Sequence, residues 1–341
     1  MKYSELCYLK KYVNKDVDPR SYEELLKDGA LAGDPVCQYG MINATYPKEE
    51  RAEKRKELLE VLRSIAHEDR EAAYIVAMYS YKQNMHKFPN EEYVRYLTLA
   101  AEQDHLMAIN FLASEYGRGL HVPRDLDKRD ELRLRAAELG DSFQQYRMGI
   151  AFEEGKRREV NLEKAIEWYK KAAAQGFHYA VESLGRLCMK EDPDRAEAYF
   201  KKAFTPYCNN ASYYMGLLCE QRGDMAGALQ HYADCLGPWN TEPPADRHLR
   251  ATADLCAKAA LALAKAHHHG NAVKVDIMRA VYYYSIAAYF GSKEAVEELA
   301  AHQRMLKEPE ATYLSTAVLA WRKTLLLRED SLRLQKNLYG D

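Results

Sequence analysis

The sequence is short of most features that would announce a chemistry. Neither charge is in excess, with 49 Lys plus Arg against 51 Asp plus Glu. Nucleic-acid binding leans on clustered cationic charge, so a nucleic-acid partner is not expected. No run approaches the roughly 18 apolar residues of a membrane span. The opening MKYSELCYLKKYVNKD also lacks the continuous apolar core of a secretory signal. The expectation is a cytoplasmic chain with no membrane partner. Seven cysteines, an odd number scattered from Cys7 to Cys256 without a CxxC pair, argue for packed thiols rather than a disulfide framework. Catalytic signatures are missing as well: no HExxH, P-loop, strand-borne G-x-G-x-x-G, G-x-S-x-G or S-x-x-K occurs. Adjacent acidic residues such as Glu153 and Glu154 point about 100° apart on a helix and read as solvated charge. No enzyme activity and no cofactor are expected.

What is present is a register. With 47% hydrophobic and 29% charged residues, the chain has ample means to bury a core. A small residue, Leu or Met four places on, Gly or Ala five on and an aromatic eight on recur together. They stand at Ala108, Leu112, Ala113, Tyr116, then Gln144, Met148, Gly149, Phe152, then Ala180, Leu184, Gly185, Cys188, with starts 36 residues apart. The frame extends back to Ala72 and forward to Ala211, Ala259 and Ala295. Each tetrad precedes a second amphipathic segment closed by glycine, most complete in NLEKAIEWYKKAAAQG, where Ala165, Trp168, Ala172, Ala173 and Gly176 keep helical spacing. Each unit is thus two helices and two turns. Glycine inside a helix costs about 1 kcal/mol relative to alanine, which only close helix approach offsets.

This pattern resembles the Sel-one-like repeat (SLR) family, a relative of tetratricopeptide repeats. The unit from Gln144 to Gly176 carries nearly all of it. Gly119, Val122 and Asp125, and again Gly270, Val273 and Asp276, fall on the family's loop positions. The resemblance implies an all-α, right-handed superhelical solenoid of stacked antiparallel helix hairpins. Residues 1–32 read as capping helices, 33–305 as about eight hairpin units with a proline-bearing insertion near 237–248, and 306–341 as a C-terminal cap with Trp321 on its apolar side. That cap would be the dimerisation surface if the protein is a homodimer rather than a monomer. The regular cysteine pairs of secreted members are absent; Cys219 and Cys235 are the pair placed to approach, with packed thiols the expectation.

Such arrays hold ligands in the concave groove lined by the first helix of each unit. Counting the starting small residue as zero, positions 4, 5 and 8 face the partner helix, while positions 2 and 6 lie at about 200° and 240° around the helix axis. The position-2 row is Gln38, Tyr74, Asn110, Tyr146, Glu182 and Tyr213. The position-6 row is Ile42, Met78, Ser114, Ile150, Arg186 and Leu217, and Tyr81 and Arg118 extend the strip by a turn. Aromatic area beside amides and charges suits an extended peptide or a folded protein partner. The reading is a non-enzymatic interaction module, with family resemblance suggesting a bacterial adaptor or regulator, or an immunity protein that neutralises a secreted toxin. The competing class is a hydrolase or metal-dependent protein built on His267, His268 and His269. Neighbouring helix residues cannot share one ion well, so these histidines read as a repeat boundary and no metal site is expected.

Overall fold

The computed structural model of the chain describes residues 2–13, 18–83, 89–203, 210–236 and 248–305. The insertion expected near 237–248 and the C-terminal cap at 306–341, with Trp321, therefore lie outside the described residues. Every regular element among those described is helical, and no helix there is long and apolar enough to cross a membrane. The chain divides into two compact units, Met1–Ala172 and Ala173–Asp341.

Unit 1 begins with α1 (Tyr3–Tyr8), which runs into a π-helical turn (Leu9–Val13), and continues through α2 (Tyr22–Leu31). Hairpins follow: α3 (Pro35–Thr45) with α4 (Arg51–Ile65), α5 (Arg70–Gln83) with α6 (Glu91–Glu102), α7 (Leu106–Arg118) with α8 (Leu126–Glu138), and α9 (Ser142–Glu154) with α10 (Leu162–Ala174). Unit 2 pairs α11 (His178–Cys188) with α12 (Pro193–Ala203), α13 (Asn210–Gln221) with α14 (Met225–Leu236) and α15 (His248–His269) with α16 (Ile277–Tyr289), and ends in α17 (Lys293–Met305). Each unit is an all-α solenoid of stacked antiparallel helix hairpins.

The register explains the packing. Ala72, Ala108, Ala180 and Ala259 are fully buried, as are Ala77 and Ala264 at position 5. Where position 5 is glycine, an aromatic ring of the second helix lies directly on the backbone. A Cβ at Gly149 would fall 2.4 Å from Tyr169, at Gly185 2.7 Å from Phe200 and at Gly216 2.4 Å from Tyr232. These three rings are at most 1% exposed. The aromatics therefore fill the space that the small residues leave.

The turns are equally repetitive. Gly119, Gly155 and Gly270 end first helices with φ of 71°, 69° and 78°, the left-handed cap that glycine adopts without strain. Beyond each, the chain folds back so that Asp125 N–H donates to Tyr116 O (3.0 Å), Asn161 N–H to Phe152 O (2.9 Å) and Asp276 N–H to His267 O (2.9 Å). Asp125, Asn161 and Asp276 then cap the second helices with their side chains. His267 thus does the work of Tyr116 and Phe152.

Two details depart from the expected register. In α3 it slips by one residue: Cys37 and Ile42 are the fully buried residues, so Ile42 belongs to the core and not to a groove. Cys235 meets Cys256 rather than Cys219, with the Cys256 thiol 3.7 Å from the Cys235 carbonyl oxygen. The six described cysteines are all free thiols.

Candidate functional site

In unit 1 the first-helix face is shaped by the N-terminal segment, which lies across the N-terminal ends of three successive first helices. Asp34 and Asp69 cap α3 and α5 by accepting from Val36 and Cys37 N–H, and from Glu71 and Ala72 N–H. Their remaining oxygens accept from Ser4: its N–H donates to Asp34 (3.0 Å) and its hydroxyl to Asp69 (2.8 Å). Four residues on, the Tyr8 hydroxyl accepts from Leu106 N–H (2.9 Å) and donates to Asp104 O (2.9 Å). An orphan donor at the start of α7 is thereby satisfied by a side chain 98 residues away. Arg70 reinforces the strap, pairing with Glu5 at 3.1 Å and lying 4.7 Å over the Tyr8 ring.

Beneath the strap sits Tyr74, stacked on His105 with centroids 4.2 Å apart and planes at 21°. His105 is buried and fixed at both nitrogens: Nδ1 accepts from Ala108 N–H (3.2 Å) as the cap of α7, and Nε2 donates to Glu71 Oε2 (2.8 Å). Tyr12 stands edge-on to Tyr74 at 6.4 Å and donates to the other Glu71 oxygen at 3.4 Å. Burial and the Glu71 carboxylate push the Tyr74 hydroxyl up to about 12, so it remains a neutral donor at physiological pH. Beside this cluster opens a cavity of about 260 Å³, lined by Tyr12, Tyr22, Tyr39, Tyr74, Met78 and Tyr79 among others, with Lys11 and Lys82 exposed along it.

The expected site residues separate by what they touch. Tyr74 and Met78 line the cavity together. Gln38 donates to Ala30 O (3.3 Å), holding α3 to α2. Asn110 is a clamp between first helices: its amide donates to Asp141 (2.7 Å) and its oxygen accepts from Gln144 (2.9 Å). Tyr81 packs 5.0 Å from Tyr93, and Tyr146 5.8 Å from Tyr169, so both rings extend the core outward. Ser114 and Ile150 are half-buried, and Arg118 is exposed. Glu153, read as solvated charge, instead accepts from the buried Tyr169 hydroxyl at 2.7 Å.

In unit 2, Glu182 and Arg186 stand one turn apart on α11. Burial drives the Glu182 carboxyl up to about 7, against the opposing effects of an Asn210 hydrogen bond and the Arg186 guanidinium. Tyr213 lies 5.6 Å from Tyr232, and Leu217 packs on the same core. Sequence reasoning missed Tyr8, Tyr12 and Tyr39. The spacing of Tyr8 and Tyr12, four apart in an amphipathic stretch, was the available signal.

The histidine run has been absorbed by packing. His267 is buried and stacked on Tyr283 at 5.7 Å, and His268 Nδ1 lies 3.2 Å from the Tyr284 hydroxyl. Among the described residues no group of three or more His, Cys, Asp or Glu is placed to hold a metal ion.

Comparison with known proteins agrees with this geometry. The Sel1 repeat model matches residues 106–128, 145–177, 180–204 and 257–289. An uncharacterized protein of Neisseria meningitidis serogroup B is 24% identical over 282 residues, 81% of this chain. The chain spans 55% of that curated relative's length. Among solved structures, a Sel1 repeat protein from Oxalobacter formigenes superposes with a TM-score of 0.52 at 20% identity, over 72% of this chain and 96% of its own. A protective antigen with an SLR fold from uropathogenic Escherichia coli gives 0.43 at 17% identity, over 98% and 87%. The matched segments fall on α7 and the start of α8, on α9 through α12, and on α15 and α16, where the small-residue register recurs. The four matched segments are Sel1 repeats, and each unit has the α-solenoid fold of stacked antiparallel helix hairpins.

Proposed function

We propose that the chain is a non-enzymatic protein–protein interaction module that takes a peptide or protein partner on the first-helix face. The observation that carries this reading is the tyrosine-lined cavity of unit 1, which opens where positions 2 and 6 of α5 present Tyr74 and Met78. Its makeup suits a recessed anchor: rings that fix an apolar group with little loss of side-chain entropy, and hydroxyls that meet its polar edge. The polar groups nearby are spoken for, since Glu71 bonds His105 and Tyr12. They hold the aromatic cluster rigid rather than stand ready for proton transfer.

The test is capture of a partner by the full chain, with mass identification, compared with a Met78→Glu variant. Met78 is the better handle because Tyr74, Asn110 and Gln38 also hold the fold. Met78→Glu is expected to lose the captured protein while keeping the far-ultraviolet circular dichroism of the unaltered chain. Equal capture by both refutes the placement of the site. Within this reading the partner of a bacterial adaptor and the toxin bound by an immunity protein are two outcomes of the same capture, separated by whether co-expression rescues cells from the captured protein.

A further inference from the structure

The tyrosine-lined cavity of unit 1 is rich in hydrogen-bond donors and short of acceptors. Tyr22, Tyr39, Tyr74 and Tyr79 line it, and none of their hydroxyls has a hydrogen-bond partner among the described residues. Burial, with the Glu71 carboxylate adding to it, pushes Tyr22 and Tyr74 up to about 12, so both keep their protons at physiological pH. Among the described residues of the lining, Glu71 is the one carboxylate. Its two oxygens already accept from Tyr12 and from His105. An occupant that brings only donors would find no acceptor beyond hydroxyl lone pairs, whereas one that brings a carboxylate meets several O–H groups at once.

Charge at the mouth points the same way. Lys11 and Lys82 both line the cavity and are exposed. Neither makes an ion pair or a hydrogen bond among the described residues. The Lys11 ammonium instead stands over the Tyr12 ring at 4.6 Å and the Tyr22 ring at 5.6 Å. Two cations thus face one engaged carboxylate, and a cation brought by a partner would be repelled. The interior sets the apolar part. A dry cavity of about 150 Å³ takes up benzene. The unit 1 cavity, at about 260 Å³, has room for a phenyl or indole ring. Its tyrosine rings and the Met78 thioether suit an aromatic group, through tilted ring contacts and a sulfur–ring contact.

We propose that this cavity selects a partner segment in which an aromatic side chain is flanked by Asp or Glu: the ring enters beside Tyr74 and Met78, and the carboxylate is held at the mouth by Lys11, Lys82 and tyrosine hydroxyls. The partner segment rests on the interaction-module reading above; the charge preference of the cavity does not.

The experiment is ligand-observed NMR titration of the full chain with capped tripeptides, acetyl-Glu-Phe-Glu-amide, acetyl-Gln-Phe-Gln-amide and acetyl-Lys-Phe-Lys-amide, at constant ionic strength. The acidic peptide is expected to bind with a Kd about five- to tenfold lower than the Gln peptide, the difference that two exposed ion pairs supply, and the Lys peptide to bind most weakly. Acetyl-Glu-Ala-Glu-amide, which lacks the ring, should not bind. Lys11→Gln combined with Lys82→Gln, both at exposed positions, should bring the acidic peptide to the Kd of the Gln peptide while leaving the Gln peptide and the circular dichroism unchanged. Equal Kd values for the acidic and Gln peptides, a preference for the Lys peptide, or binding by none of them overturns the proposal. So does a preference for acid that survives the double lysine change, or equal binding of the peptide without a ring. Partner capture is measured separately. Capture lost in Met78→Glu, with peptides not told apart by charge, overturns this assignment and leaves the interaction module standing. A charge preference with equal capture by Met78→Glu overturns the interaction site and, with it, the partner segment.

Discussion

Replacing Gly149 with alanine adds one methyl group at the tightest contact between a first and a second helix. The new Cβ would stand 2.4, 2.5 and 2.9 Å from the Cε1, Cδ1 and Cζ atoms of Tyr169, where ordinary contact begins at 3.4 Å. The ring must therefore retreat by about 1 Å, yet it is fully buried and its hydroxyl is fixed to Glu153 at 2.7 Å. Overpacking of this kind costs about 1–3 kcal/mol. Exchanging a helical glycine for alanine restores up to about 1 kcal/mol. The clash wins, for a net loss of about 1–2 kcal/mol. Gly117→Ala is the control, since its Cβ meets only the flexible chain of Arg129, at 3.2 Å, and the change should be neutral or stabilising. Urea denaturation followed by circular dichroism reads both, and the pair Gly149→Ala with Tyr169→Leu should lose less than the sum of the single changes. If Gly149→Ala matches Gly117→Ala, the close approach of ring to backbone is not what requires glycine there.

Other perturbations test other parts. The Glu182 carboxyl, raised to about 7 from 4.5, binds a proton more readily folded than unfolded. Its contribution to stability is complete below about pH 4.5 and lost as pH rises through about 7. Glu182→Gln should flatten that fall and gain about 2 kcal/mol at pH 8 after allowance for partial exposure, as read from denaturation at a series of pH values; an unchanged slope would refute it. Tyr8→Phe removes a hydroxyl that satisfies Leu106 N–H, and should cost about 1–3 kcal/mol while leaving helicity intact. Equal denaturation midpoints would count against the strap. A chelator should leave the Tm of untagged protein unchanged, because His267 and His268 are committed to Tyr283 and Tyr284; a lowered Tm would restore the metal-dependent reading.

The parts of this architecture that were legible in advance are those written within a single repeat. Small residues at positions 0 and 5, the ring that covers them and the glycine that ends the helix are all local and recur. A reading of Gly149 or Gly270 is therefore checked by its counterparts in other units, whereas the ring over Gly149 is Tyr169, one residue beyond the Trp168 that the pattern marks. The same repetition marks His267 as the residue at the aromatic position of a repeat boundary. What escaped was aperiodic. Tyr8 reaches Leu106 across 98 residues, and no register announces such a partner. Asn110 and Gln38 face the expected side but spend their amides on neighbouring helices, a choice fixed by where Asp141 and Ala30 happen to lie. Ile42 moved from groove to core because one residue of slip in α3 turns the helix by about 100°. Cys235 found Cys256, on the first helix of the following hairpin, rather than Cys219, on the first helix of its own.

Solenoids are built from nearest-neighbour contacts, and their stability divides into terms for single units and single interfaces. The N-terminal strap of unit 1 violates that rule, because Ser4 and Tyr8 between them engage the starts of α3, α5 and α7. Ser4 and Tyr8 thus have no complete resting place until α7, roughly a hundred residues further on, is in place, which gives a fold of mostly local contacts one long-range closing step. Three hairpins that could otherwise fray one at a time become linked in their opening. An N-terminal truncation or fusion would be felt not at the end of the array but at its third repeat.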